Sequence, residues 1–233
     1  VAGDGDGQDG DASGGGPLQL WAKYLALLDS DPLKTRMFTG LVISAIGDIM
    51  SQTLDGVKAK DLDLKRLIVF SCWGGFGFTP MGFKWYNLIE STVPKDIPVR
   101  FLAKMAMDQT IFPPLMTTIT FTCLTLIEGL VAGFGLSFSK GVYSTGDKVK
   151  GLGGLFQDAI TKVKKQLCPT LVENYKVWPL VQVLNFAVVP LRLQVLFVNV
   201  VAVWWNFVLS CANNLKEEKK DTKRGGKPKK GKK

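Results

Sequence analysis

Beyond an opening stretch with no apolar period, hydrophobic residues dominate this chain in long runs interrupted by single polar positions. Leu18, Trp21, Tyr24, Leu25 and Leu28 recur at helical spacing. They predict a short amphipathic helix that stops at Asp31-Pro32 and lies at a membrane interface. From Leu33 to Leu54 the residues Phe38, Leu41, Val42, Ile43, Ile46 and Ile49 suffice for a first membrane-crossing helix, which also carries Asp48 and Gln52. Four residues apart, those two share one helix face. A second run, Leu67 to Phe83, holds 17 residues without a charge, close to the ~20 that cross a ~30 Å hydrocarbon layer. Trp85 and Tyr86 follow directly, a position that suits the aromatic belt at the headgroups.

A third run extends from Val99 to Ile127, with Lys104 and Asp108 spaced to pair and a Pro113-Pro114 step inside it. Proline is tolerated in spanning helices where neighbours satisfy the freed carbonyls, so the step predicts a kink and not an end. Gly129 to Gly151 reads as a glycine-rich loop. From Leu155 the apolar Phe156, Ala159, Ile160, Val163 and Leu167 alternate with Gln157, Asp158, Lys162, Lys164 and Lys165 at the helical period, which predicts an interfacial helix with a basic wet face. The last stretch, Val177 to Ala212, is 36 residues with Arg192 as its only charge; it is too long for one straight crossing and is expected to bend at Pro190. The predicted fold is an all-α membrane protein, a four-transmembrane-helix bundle with interfacial amphipathic helices. It divides into a disordered acidic, Gly-rich tail (1–16), a membrane domain (17–215) and a basic Lys-rich tail (216–233).

Charge sharpens this division. The chain is 46% hydrophobic yet carries 29 basic and 20 acidic residues, so the charges must be segregated. Residues 1–16 hold four aspartates and no base, and the final 18 residues hold ten bases against three acids. The basic tail lacks interleaved aromatics, so specific nucleic-acid recognition is not expected; contact with anionic lipid or a partner surface is. There is no histidine, which excludes Ser-His-Asp and Cys-His catalysis and His-ligated haem or zinc. Cys72, Cys123, Cys168 and Cys211 form no CxxC and are expected as buried, reduced thiols. No nucleophile elbow, phosphate loop or metal cluster is present in the sequence, so no enzyme, cofactor or metal site is expected. The start at Val1 suits a chain from which a targeting peptide has been removed, and equally one cut at a chosen boundary.

The candidate functional residues are polar groups at expected membrane depth: Asp48, Gln52, Lys104, Asp108, Gln109, Gln182 and Asn185. Isolated charges are costly there and should face the bundle interior or water. Two readings stay open, a polar lining for a solute path and a hydrogen-bonded network that locks helices together with Lys104 neutralising Asp108. Gly74, Gly75 and Gly77, with Gly40 and Ser44, predict close helix packing. Phe76, Phe78, Phe197 and Trp204 are expected to face lipid or a partner protein.

Short pieces in order carry a resemblance. Gly47-Asp48 with Gln52, Asp63 with Arg66, Trp85-Tyr86, Lys104, Asp108-Gln109, Pro113, Glu128-Gly129, Trp178-Pro179, Gln182, Asn185-Phe186, Val189-Pro190, Trp205-Asn206 and Leu209-Ser210 together resemble the Mpv17/PMP22 family of small organelle membrane proteins. The likeness runs from Trp21 to Ser210 and leaves both tails out. It departs where many members read Gly-Pro-x-x-His-x-Trp-Tyr, since Thr79 and Phe83 replace the glycine and histidine, and where Gln194 stands in place of an arginine. The resemblance implies four membrane helices and no cofactor. It implies an organelle membrane, the mitochondrial inner membrane first, with chloroplast or peroxisomal membranes as alternatives. Its members include proteins that look like pores for small solutes or ions. The alternative is a structural subunit of a larger, energy-converting membrane complex, with lipids and the other subunits as partners.

Overall fold

A computed structural model describes residues 16–133 and 151–205. Apart from Gly16 the predicted acidic tail lies outside the described residues, as do the basic tail, residues 134–150 and Cys211. Every regular element among the described residues is helical. In order they are α1 (Pro17–Ser30), α2 (Pro32–Leu54), a single 3-10 turn (Ala59–Asp61), α3 (Leu64–Cys72), a π-helical turn (Trp73–Phe78), α4 (Thr79–Thr92), α5 (Arg100–Gly133), α6 (Leu152–Asn174), α7 (Trp178–Ala187) and α8 (Leu191–Trp205).

The breaks have local causes. Proline stands at the first turn of α1, α2, α4 and α7, where a missing N–H costs nothing. Asp63 caps α3 by accepting from the Arg66 backbone N–H at 3.1 Å. Pro113 and Pro114 lie inside α5, which continues for 34 residues and runs past Gly129, where the sequence predicted a loop. α2 and α5 are each long and apolar enough to cross a membrane.

The burial pattern is inverted relative to a water-soluble bundle. Asp48, Gln52, Lys104, Asp108, Gln182 and Asn185 are buried, while Phe38, Ile46, Ile68, Phe76, Ile111, Leu115 and Leu180 are exposed. Hydrocarbon solvent favours that arrangement, because apolar side chains lose nothing by facing lipid and polar groups must find partners inside. A smaller apolar core, built on Tyr86, Ile89, Val93, Phe186, Val195 and Val198, joins α4, α7 and α8.

Several placements differ from the sequence reading. α6 runs antiparallel along α5, with Leu155 against Gly129 near one end and the Tyr175 hydroxyl donating to the Gln109 carbonyl at 2.9 Å near the other. Twenty residues of α5 separate those two contacts, about 30 Å of helix. An amphipathic stripe fits a neighbouring helix as well as a headgroup plane, so periodicity alone did not reveal which it meets. Tyr86 is buried in the core and does not face outward. Cys72 and Cys168 are free but exposed, and of the four aromatics assigned outward only Phe76 and Trp204 are exposed; Phe78 and Phe197 pack inward.

The tightest joint lies between α2 and the π turn. A methyl group on Gly74 would overlap the Ser44 side chain, one on Gly40 would overlap the Thr79 hydroxyl, and one on Gly75 would sit 2.8 Å from Leu41 Cβ and 2.9 Å from the Met37 carbonyl oxygen. Small residues let the two backbones meet where helix association depends on van der Waals contact. Gly74→Val is therefore expected to lower thermal stability in detergent by about 1–3 kcal/mol through overpacking, whereas Gly153→Ala, with open space around it, should leave it unchanged or slightly raised. Equal melting shifts for the two would refute the close-packed joint.

Candidate functional site

Among the described residues, four polar assemblies take up the candidate residues and their partners, each near a helix end or break. The first joins α2 to α3. Gln52 Nε2 donates to Asp48 Oδ2 at 2.8 Å, and Arg66 Nε pairs with Asp48 Oδ1 at 2.9 Å. Gln52 Oε1 accepts from the Asp63 backbone N–H at 2.8 Å, so the α3 cap and the buried carboxylate are fixed together. Every Asp48 oxygen thus has a partner, and Arg66 packs over Phe70 at 5.5 Å. This is a lock between helices.

The second assembly closes α4 onto α5. Arg100 donates to the Glu90 carboxylate at 2.9 Å and to the carbonyls of Glu90 and Val93 at 2.7 and 3.0 Å, so it also satisfies the C-terminal end of α4. Lys104 binds the other Glu90 oxygen. The expected pairing of Lys104 with Asp108 is therefore not formed: a fourth-neighbour spacing permits a pair, but Glu90 arrives from α4 and takes the lysine.

The third assembly spans the break between α7 and α8. Gln182 Nε2 donates to the Tyr86 hydroxyl at 3.0 Å, and Asn185 Nδ2 donates to Gln182 Oε1 at 2.9 Å. Gln194 Nε2 reaches the carbonyls of Asn185 and Val189 at 3.3 and 3.2 Å, satisfying backbone that the break at Pro190 leaves open. Arg36, also buried, donates to the Arg192 carbonyl at 2.9 Å and stands 4.7 Å from the centre of the Phe83 ring.

The fourth assembly is a cleft of about 120 Å³ bounded by α4, α5 and α7, with Asp108, Gln109 and Gln182 in its wall beside Phe78, Tyr86, Phe112 and Trp178. Asp108 is fully buried. Its two oxygens accept from Trp85 Nε1 and Gln109 Nε2, both at 2.8 Å, and no base pairs with it among the described residues. Phe112 stacks on Trp85 with centroids 5.4 Å apart, which fixes the indole that holds the carboxylate. The candidate residues therefore separate into groups. Asp48 and Gln52 serve the α2–α3 lock, Lys104 the α4–α5 clamp and Asn185 the break, while Asp108, Gln109 and Gln182 line the cleft.

Glu90, Arg36 and Tyr175 were missed by sequence reasoning. Glu90 stands outside the apolar runs, and nothing local shows that a lysine fourteen residues on will meet it. Arg36 had one available signal, a base one turn into an apolar helix with no acid three or four residues away.

The model of the Mpv17 / PMP22 family matches residues 152–210. Protein SYM1 of Saccharomyces cerevisiae is 32% identical over 209 residues, covering 87% of this chain and 94% of its own length. The chain belongs to the Mpv17/PMP22 family. Peroxisomal membrane protein 2 of Bos taurus is 26% identical, with 81% of this chain and 87% of its own length covered; PXMP2/4 family protein 2 of Dictyostelium discoideum is 29% identical, with 82% and 90% covered. No solved structure matches the chain.

The departures of this Mpv17/PMP22 member from the expected motif have structural counterparts. Thr79 donates to the Gly74 carbonyl of the π turn at 2.7 Å, in space that Gly40 leaves free. Phe83 lies against the Arg36 guanidinium, a position where a protonatable ring would meet a fixed cation. Gln194 supplies the amide that closes the α7–α8 break.

Two outcomes follow from these contacts. Arg66→Met leaves Asp48 buried without its cation and is expected to cost about 3–5 kcal/mol of stability, with Asp48→Asn costing less; equal melting temperatures for Arg66→Met and the unaltered chain would remove the lock. Glu90→Gln leaves Arg100 and Lys104 without their shared carboxylate and is expected to lower the melting temperature in detergent; an unchanged melting temperature would remove the clamp.

Proposed function

We propose that this Mpv17/PMP22 member is a non-enzymatic protein of an organelle membrane whose bundle gives small polar solutes or ions a path through the cleft at Asp108, Gln109 and Gln182. The mitochondrial inner membrane is the first assignment, with peroxisomal and chloroplast membranes as alternatives; Peroxisomal membrane protein 2 is named for one of these. The four expected crossings map onto α2, the continuous rod of α3 and α4, α5, and the α7–α8 pair, with α6 as a more polar rod along α5. Residues 17–215 form the membrane domain, flanked by the acidic and basic tails.

The observation that carries this reading is the state of Asp108. Lys104 is committed to Glu90, so a buried carboxylate in the cleft wall is left without a cationic partner. Intramembrane ionisable groups that are not paired are typical of substrate and ion paths. Asp48, by contrast, is consumed by Arg66 and Gln52 and has no part in the lining.

In vesicles reconstituted with the purified chain, Asp108→Asn is expected to reduce flux of small cationic solutes by about tenfold, equivalent to ~1.4 kcal/mol of lost attraction. Asp48→Asn should lower stability while leaving flux per folded molecule unchanged. Unaltered flux in folded Asp108→Asn would refute the path. The second reading, an accessory subunit of a larger energy-converting membrane complex, draws on exposed Phe76 and Trp204, which suit a partner helix as well as lipid. Stoichiometric co-migration of the chain with such a complex in mild detergent would favour it.

A further inference from the structure

We infer that the cleft is a binding site for a small organic ammonium ion. This rests on the reading of the cleft as the solute path and names the class of solute it selects.

The wall carries a carboxylate and, among its described residues, no base. Each Asp108 oxygen takes one hydrogen bond, and an ionised carboxylate offers about four lone-pair sites, so acceptor capacity remains. Gln109 Oε1 is buried without a partner. Its orientation is set, since the amide nitrogen is held by Asp108 and reversing the amide would place two acceptors together. The Gln182 nitrogen is engaged with Tyr86. No lysine or arginine is among the described residues of the wall, and Lys104, one turn along α5, is held away by Glu90. An anion entering here would meet a carboxylate and no base.

The rest of the wall decides between kinds of cation. Phe78, Tyr86, Phe112 and Trp178 surround the same space, and aromatic rings attract an ammonium group within about 6 Å of their centres. A hard metal ion gains little from such rings and seeks about six or more oxygens, which a wall that is mostly carbon does not supply. Size agrees: the volume of about 120 Å³ is slightly below the ~150 Å³ cavity that accepts benzene. A methylated or primary ammonium with a short chain fits, and a nucleotide does not.

The test uses the full chain purified in mild detergent, titrated calorimetrically with tetramethylammonium and choline chlorides. Sodium chloride and the neutral carbon isostere of choline, in which a tert-butyl group replaces trimethylammonium, serve as comparisons. Saturable binding of the ammonium ions is expected, with the isostere weaker by about tenfold or more and sodium without effect. Asp108→Asn should lose a similar factor, and Trp178→Leu should weaken choline binding several-fold. Equal binding of choline and its isostere, or no choline binding by the unaltered chain, overturns the site, and this comparison decides even if Asp108→Asn fails to fold. Unchanged choline affinity in folded Asp108→Asn also overturns it. Choline binding without flux in vesicles would leave this site standing and remove the path; flux of neutral or anionic solutes without choline binding would do the reverse.

Discussion

Hydrocarbon offers a polar group no partner, and that single constraint organises this molecule. Each buried ionic or amide side chain must be satisfied by another part of the chain, so the polar residues become the joints between helices. Asp48 ties α2 to α3 through Arg66, Glu90 ties α4 to α5 through Arg100 and Lys104, and Gln194 repairs the backbone between α7 and α8. Apolar packing fills the space between the joints, most closely where Gly40, Gly74 and Gly75 bring α2 against the π turn.

Much of the fold was legible in the sequence because the long apolar runs and their prolines are local signals. α2 was readable to within a residue from Leu33 and Leu54, and the Asp31-Pro32 and Pro190 breaks fall where proline demanded them. Distances between helices are not local signals. The stripe of Leu155, Ala159 and neighbours announced an amphipathic helix correctly, yet the acyl-chain boundary of a bilayer and the flank of α5 present the same apolar target to it. Among the candidate residues, burial was readable from residue type and depth alone; the choice of partner was not. Lys104 and Asp108 have ideal spacing for a pair, and the pair is lost because Glu90, closer in space and distant in sequence, binds the lysine better.

That choice of partner has a functional consequence. If Lys104 neutralised Asp108, the interior would hold two closed locks and an uncharged cleft. With Lys104 drawn into the clamp, two bases share the one carboxylate of Glu90 at the end of α4, and Asp108 is left in the cleft with only the neutral donors Trp85 and Gln109 bonded to it. A neutral donor orients a carboxylate without cancelling its field. The clamp that fixes α4 against α5 thereby also sets the sign of the charge in the cleft.

The position of the cleft has its own cause. Straight helices at close contact leave no space of this size, and here three irregularities meet at one place. Phe78 ends the π turn, Pro113 sits inside α5, and Trp178 opens α7 just after α6 has ended, and all three residues are in the wall. π turns and proline steps widen a helix locally or free its carbonyls, and both occur disproportionately at functional sites in proteins. In this molecule two of these irregularities are braced, the π turn by Gly40 and Thr79 and the start of α7 by the Tyr86–Gln182 bond within the wall itself. A void with supported walls, one unbalanced carboxylate and a free amide oxygen is more than the residue of imperfect packing. A leucine in place of Asp108 would fill the space but leave the Trp85 indole N–H without its acceptor, so ring and carboxylate belong to one arrangement.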